Sequence, residues 1–347
     1  MKIEKKIINQ IIKSKIPLKK LNNKKILITG CNGFIASSFI KMVNEAMSKK
    51  GYKIYFYGLI NKLKTNKNLK PLISKKTLVI KKVDLNKEIN LNFKPDICFH
   101  LASITSPSEY ISKPIETITT NILGTINLLN FCVKKKVKKF ILLSSGEIYG
   151  NFKKLNFKKE KFDENDYGII DPKNISSNYS LSKKISENAL LCWFKKYNLA
   201  NNSIRLFHTY GPNMKLGDGR IHSDLVDKIS KNKNIILKGN PNIKRSFCYI
   251  SDVITGILTV ILRGKNNESY NLANPKEIYK VKELAKIILS LQDNKKLKIV
   301  KLSKKNNRLD FFNPTPSIEK LKKLGWKPKI SVKEGLKDTL NFYRCWY

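Results

Sequence analysis

"KKILITGCNGFIASSFIKMV", residues 24–43, decides how the chain is read. Ile26, Leu27 and Ile28 form a short apolar run, Gly30-Cys31-Asn32-Gly33 breaks it, and Phe34 and Ile35 open a second one at once. A buried strand handing over to a helix needs a tight turn, and glycine supplies the backbone freedom for it. The free N–H groups at the start of the following helix then face the turn and favour an anion such as a pyrophosphate. The spacing Gly30-x-x-Gly33-x-x-Ala36 puts alanine where a third glycine often allows close helix-to-strand packing.

The pattern repeats outward from this turn. "YKIYFYGL", "TLVIKKVDL", "PDICFHLAS" and "KKFILLSS" read as strands, with a long helix, "PIETITTNILGTINLLNFCVK", before the last of them. Short apolar runs separated by amphipathic stretches indicate βαβ units and a parallel sheet. The expected fold is therefore α/β, a Rossmann-like doubly wound parallel sheet with a smaller C-terminal substrate-binding lobe. Residues 21–205 are assigned to the dinucleotide-binding domain, with 245–275 returning to it, and 206–347 mainly to the substrate lobe. Residues 1–20 form an amphipathic extension in which Ile3, Ile7, Ile8, Ile11 and Ile12 recur at helical spacing. Without an uninterrupted apolar core or a small-residue cleavage site, that extension reads as a short helix packed on the first domain, ended by Pro17.

Composition narrows the function. A chain of 347 residues, 41% of them hydrophobic, can bury a large core, and no apolar run reaches the ~20 residues that span a bilayer. The six cysteines have no paired spacing and no histidine cluster beside them, so no metal site and no disulfide framework is expected; free thiols in a reducing cytoplasm are. The formal net charge of +43 raises nucleic-acid binding, yet only six of the 69 basic residues are arginine and the lysines are spread along the whole chain. The expected partner is an anionic small molecule drawn in by the general positive field, with no nucleic acid.

A second constellation adds chemistry. Tyr179 and Lys183, four apart in "NYSLSKK", share one helix face, and Ser145 and Glu147 stand at the end of the strand in "LLSSGEIYG". A phenol is a poor base at neutral pH, and a lysine ammonium one turn away together with an oxidised nicotinamide would lower its pKa.

With these residues in hand the chain resembles the extended short-chain dehydrogenases/reductases of the NAD-dependent epimerase/dehydratase family, which remodel nucleotide-activated sugars. The resemblance covers about residues 24–342 and rests on "ILITGCNGFIA", "HLASITSP", "TNILGTINLL", "LLSSGEIYG", "YSLSK", "RLFHTYGPNM", "RSFCYISDVITGIL", "YNLANP" and "LGWKP". Within the family, "HLASITSPSEYISKPIETITTN", "DYGIIDP" and "GPNMKLGDGR" are most similar to the branch that decarboxylates UDP-glucuronate.

The resemblance implies NAD or NADP as cofactor, with Gly30, Asn32, Gly33, Phe34 and Ile35 around its pyrophosphate, Asp84 and Leu85 near the adenine, and Leu101 and Ala102 near the nicotinamide ribose. It implies Tyr179 as the base, Lys183 holding the ribose and tuning Tyr179, Ser145 hydrogen-bonding the same sugar hydroxyl, and Glu147 as a further acid/base group. Ser103, His208, Arg220, Arg245 and Arg308 are implied around the substrate, the arginines gripping its diphosphate; a packing role for His208 and a surface role for any one arginine stay open. A homodimer, reversible oxidation at sugar C4 and work in surface-polysaccharide precursor synthesis follow from the same likeness, with NADP-linked ketoreduction and decarboxylation as alternatives.

Three departures qualify it. The second strand ends in "FYGLINKLK", with no acid for a ribose 2′-hydroxyl and with Lys62 and Lys64 close by, which leaves room for a 2′-phosphate. Gly146 stands where the 4,6-dehydratases carry an aspartate, and Pro314 stands where the decarboxylases carry an arginine.

Overall fold

The computed structural model describes residues 2–61, 66–152, 159–237, 240–292, 296–301 and 315–344. Lys62, Lys64, Arg308 and Pro314 lie outside the described residues.

The apolar runs become the central strands of a seven-stranded sheet. β1 is Lys24–Thr29, β2 Ile54–Ile60, β3 Leu78–Lys82, β4 Ile97–His100 and β5 Lys139–Ser145. The sheet is completed by Asn201–Leu206 beside β5 and Glu268–Leu272 at its edge, so that from the other edge the order runs β3, β2, β1, β4, β5 and then these two. All six strand pairs are parallel. Ile26, Leu27 and Ile28 are fully buried, as expected of a strand covered on both faces, and each contributes roughly 2 kcal/mol of apolar burial.

The order of winding reverses between β1 and β4. At such a reversal the turns leaving the two strands diverge and open a crevice at their carboxyl ends. The glycine turn after β1 and the Leu101–Ala102 turn after β4 face each other there. The helix Phe34–Lys49 follows the first turn, and the helices Pro114–Lys134 and Asn178–Tyr197 pack side by side on the other face.

The N-terminal helix Lys2–Lys13 buries Ile7, Ile8 and Ile11 against Phe34–Lys49 and against the helix Ile250–Arg263. It ends before Pro17, and polar contacts fix it: Lys41 Nζ to Glu4 at 2.6 Å and Gln10 Nε2 to the Asp252 carboxylate at 2.6 Å. The extension is thus part of the main core.

Of the 245–275 stretch, only Glu268–Leu272 enters the large sheet. The strand Lys244–Tyr249 instead lies parallel to His208–Tyr210 and antiparallel to Ile278–Lys280 in a separate three-stranded sheet. This small sheet carries Arg245 and His208 on adjacent strands, which explains how two residues far apart in sequence reach one site.

Candidate active site

The glycine turn has the geometry its sequence implied. Gly30 has φ +64°, in the left-handed region, and donates its N–H to the Leu59 carbonyl at 2.9 Å. A Cβ at this position would lie 2.9 Å from the Cα of Ala102, so backbone meets backbone and only glycine fits. Gly33 caps Phe34–Lys49 without a side chain, which leaves the first N–H groups of that helix open to the crevice. Asn32 Oδ1 accepts the Asn66 N–H at 3.0 Å.

The opposite wall is fixed by Thr29 and His100, register partners on β1 and β4. Thr29 Oγ1 accepts the N–H groups of Leu101 at 3.1 Å and Ala102 at 3.0 Å. Its own proton is left for His100 Nδ1, 2.7 Å away, which places the ring hydrogen on Nε2. Burial, with the Lys183 charge nearby, pushes the His100 pKa down to about 3, so this ring is a neutral brace. The two walls form a cradle that a dinucleotide pyrophosphate fits: open helix N–H groups and a glycine with no Cβ on one side, and the Leu101–Ala102 backbone held by Thr29 on the other.

Asp84 and Leu85 are placed differently from each other. Leu85 is buried and its carbonyl accepts Asn127 Nδ2 at 2.8 Å, whereas Asp84 is exposed and turns its carboxylate to the Asn86 N–H at 3.0 Å.

The reactive groups converge at the end of β5. Ser145 caps the turn that follows by accepting the Glu147 N–H at 3.2 Å, and its hydroxyl lies near enough to Tyr179 to favour the phenolate. Lys183, one turn along the same helix and buried, donates to the Leu143 carbonyl at 2.9 Å. Burial brings its ammonium down to about 8, against the opposing pull of Glu187. Tyr179 shows what the protein contributes without its cofactor. In the chain alone its phenol is pushed up, chiefly by burial and further by Glu147, against the Ser145 hydrogen bond and the Arg220 charge. Lys183 by itself does not ready the base, and the positive charge of an oxidised nicotinamide is the part the protein does not supply.

Sequence reasoning missed the ring that holds Tyr179. Tyr110, on the short helix Pro107–Ser112, stacks on it with centroids 5.3 Å apart and planes 9° from parallel, and Asn178 Nδ2 donates to the Tyr110 carbonyl at 2.8 Å. The same segment reaches the substrate lobe, since Ser106 Oγ donates to the Asp218 carbonyl at 2.7 Å. Asp218 in turn holds Arg220, whose Nε lies 2.8 Å from its Oδ2 and whose Nη2 binds the same oxygen. Ser103 donates to Asn121 Oδ1 at 2.7 Å. Only the aromatic residue types hinted at the Tyr110 stack, because its two partners are 69 positions apart.

Arg220, Arg245 and His208 come together on the substrate side: both arginines, with His222, depress the pKa of the His208 ring, though less than its burial does.

A parallel sheet with a glycine turn at its reversal point and a Ser-Tyr-Lys set beside it is the arrangement of a nicotinamide-dinucleotide-dependent enzyme. The comparisons agree. The sequence model of the NAD dependent epimerase/dehydratase family matches residues 26–273, and the chain belongs to that family. It is an extended short-chain dehydrogenase/reductase, an NAD(P)-dependent enzyme of nucleotide-sugar metabolism. UDP-glucuronic acid decarboxylase 3 of Arabidopsis thaliana is 30% identical over 318 residues, covering 90% of this chain and 87% of that one. The fold matches the UDP-glucuronic acid 4-epimerase of Bacillus cereus, solved with UDP-glucuronic acid and NAD, at a TM-score of 0.77 and 23% identity, over 93% of this chain and 100% of that one. It also matches RMD of Pseudomonas aeruginosa, solved with NADPH, at a TM-score of 0.72 and 21% identity, over 94% of this chain and 100% of that one.

Proposed function

We propose that the enzyme oxidises a nucleotide sugar reversibly at C4 and then restores that centre, as a step in supplying surface-polysaccharide precursors. The observation that carries this is the convergence of Ser145, Tyr179 and Glu147 at the end of β5, with Lys183 one turn along the helix from Tyr179. Bound nicotinamide supplies the hydride acceptor and a positive charge. Tyr179, as phenolate, takes the proton of the C4 hydroxyl while Ser145 orients that hydroxyl, and the same pair returns the proton when the ketone is reduced. Lys183 holds the ribose side of the site, and Glu147 serves a second proton transfer on the sugar.

Loss of water from C5 and C6 is the less favoured outcome, because Gly146 offers no acid there; a Cβ at this position would lie 2.7 Å from the Phe207 ring, so a side chain enters only if that ring shifts. Decarboxylation has a different obstacle. The 4-keto acid formed from UDP-glucuronate needs a cation beside it as carbon dioxide leaves, and Pro314 has neither charge nor donor. The arginine nearest in sequence is Arg308.

The expected result is therefore little or no pentose product from UDP-glucuronate, and conversion instead of a neutral nucleotide hexose or its 4-keto-6-deoxy derivative. Mass spectrometry on a panel of nucleotide sugars with NAD and NADP tests it. Steady formation of UDP-xylose, abolished by Arg308→Ala, would make the enzyme a decarboxylase; a panel left wholly unchanged would remove the proposal.

We also propose that the enzyme works as a homodimer in the cytoplasm. The paired helices Pro114–Lys134 and Asn178–Tyr197 expose Ile115, Ile118, Leu123, Ile185, Leu191 and Tyr197. Pro114–Lys134 carries one lysine, at its last position, in a chain of net charge +43, so like-charge repulsion between two copies is weak along that helix. Sedimentation at micromolar concentration should give twice the 40.0 kDa chain mass, and a monomer would contradict the assignment.

A further inference from the structure

The substrate side of the cleft contains two histidines in contact, and their surroundings are unusual. His208 and His222 meet edge to face with centroids 6.1 Å apart and planes at 86°, and both pack on Phe247, at 5.7 Å and 6.1 Å. His208 leads the strand beside Lys244–Tyr249, and His222 lies in the first turn of the helix Ile221–Ser230, which Arg220 caps.

His222 is 2% exposed. Its Nδ1 has no hydrogen-bond partner among the described residues, and the Thr209 backbone beside the ring favours its protonated form, though less than burial disfavours it. His208 is half-buried, and no described residue hydrogen-bonds its ring. Burial, then Arg245, His222 and Arg220, keep His208 well below the usual imidazole range, so near neutral pH it carries no charge. The charged and titratable groups facing it are thus Arg245 from its neighbouring strand, and Arg220 and His222 from the helix packed on it. Asp218 is already committed to Arg220. Two cations converge on a neutral ring that has unused hydrogen-bonding capacity, and behind it lies a buried ring nitrogen with no partner among the described residues.

We propose that His208 takes up a proton as an anionic diphosphate binds beside Arg220 and Arg245, and becomes a third cationic donor to that group with His222 Nδ1 accepting its second N–H. This rests on the reading of the cleft as a nucleotide-sugar site. The physical cause is charge cancellation. Two phosphate charges neutralise the field of the two arginines, and a direct hydrogen bond to phosphate favours imidazolium further. The sign follows from linkage: the complex binds one more proton than the free enzyme, so affinity rises as pH falls and is lost as pH rises through the pKa of the bound state. A neutral amide at position 208 could donate to the same phosphate but could not couple binding to pH.

The chain has only three histidines, which makes the experiment direct. Imidazole NMR signals are followed from pH 5 to 8 (~0.5-unit steps), alone and saturated with UDP-glucose, dTDP-glucose or GDP-mannose, whose diphosphate diesters do not titrate in that range. One signal, missing in His208→Asn, should titrate at least ~1 unit higher in the complex, and wild-type affinity should then improve up to ~10-fold at low pH while that of His208→Asn stays flat. His100 and His222 should stay neutral throughout. Binding with no change in any histidine titration would overturn the proton uptake while leaving the nucleotide-sugar site intact. If no probe binds, both readings fall.

Discussion

Tyr179→Phe should lower turnover by at least ~10²-fold while leaving dinucleotide affinity within about threefold of the wild type. The substitution deletes one hydroxyl. The ring that stacks on Tyr110 at 5.3 Å stays, so the helix Asn178–Tyr197 keeps its packing against Pro107–Ser112. What is lost is one hydroxyl, with a stability cost of about 1 kcal/mol, and with it the group proposed to take the sugar proton. A stopped-flow measurement of cofactor reduction, with dinucleotide binding measured separately by calorimetry, distinguishes the two effects. More than half the wild-type rate would remove Tyr179 from the chemistry; a lost cofactor site would show that the tyrosine is structural.

Gly30→Ala should weaken dinucleotide binding by at least ~10-fold and lower the melting temperature. Two costs combine at this position. An alanine at φ +64° is strained by roughly 1–2 kcal/mol. Its Cβ would also meet the Ala102 backbone at 2.9 Å, and that backbone is held by Thr29 Oγ1, so the phosphate cradle itself must open. Gly51→Ala is the control, because φ there is +72° with nothing within 4 Å of the added methyl. It should show the strain alone, with a small loss of stability and unchanged cofactor affinity. Equal effects of the two substitutions on binding would mean that the close approach of the two turns is irrelevant to the cofactor.

The parts of this molecule that depend on neighbours in sequence could be read from it. β1 and its turn were legible because Ile26, Leu27, Ile28, Gly30 and Gly33 fall within eight residues, and the strand-to-helix handover leaves one conformation for them. Tyr179 and Lys183 were legible because four residues make one helical turn.

The parts that depend on long-range pairing could not be read. Lys244–Tyr249 looks like any apolar strand, and only its register with His208–Tyr210 places it in the small sheet. The support behind Tyr179 was hidden for the same reason. Tyr110 reaches it by ring stacking, and Asp218 reaches it through Ser106, across 112 positions of chain. His222 gave no local signal, since a lone histidine near a helix start is ordinary until Phe247 and His208 are found against it. Sequence shows the lysine near Tyr179 but not the burial that, in the chain without cofactor, raises its phenol pKa.

The central claim is that a hydride leaves and returns at sugar C4, and isotope transfer tests it most directly. Nucleotide sugars of the UDP, dTDP and GDP series carrying deuterium at C4 are mixed with enzyme and cofactor, and both cofactor and product are analysed by mass spectrometry in single turnovers. The account predicts deuterium on the nicotinamide within the first turnover, a slowed rate relative to the protiated sugar, and neither effect in Tyr179→Phe. Product formed with its C4 deuterium never appearing on the cofactor, at a rate independent of the label, would contradict it.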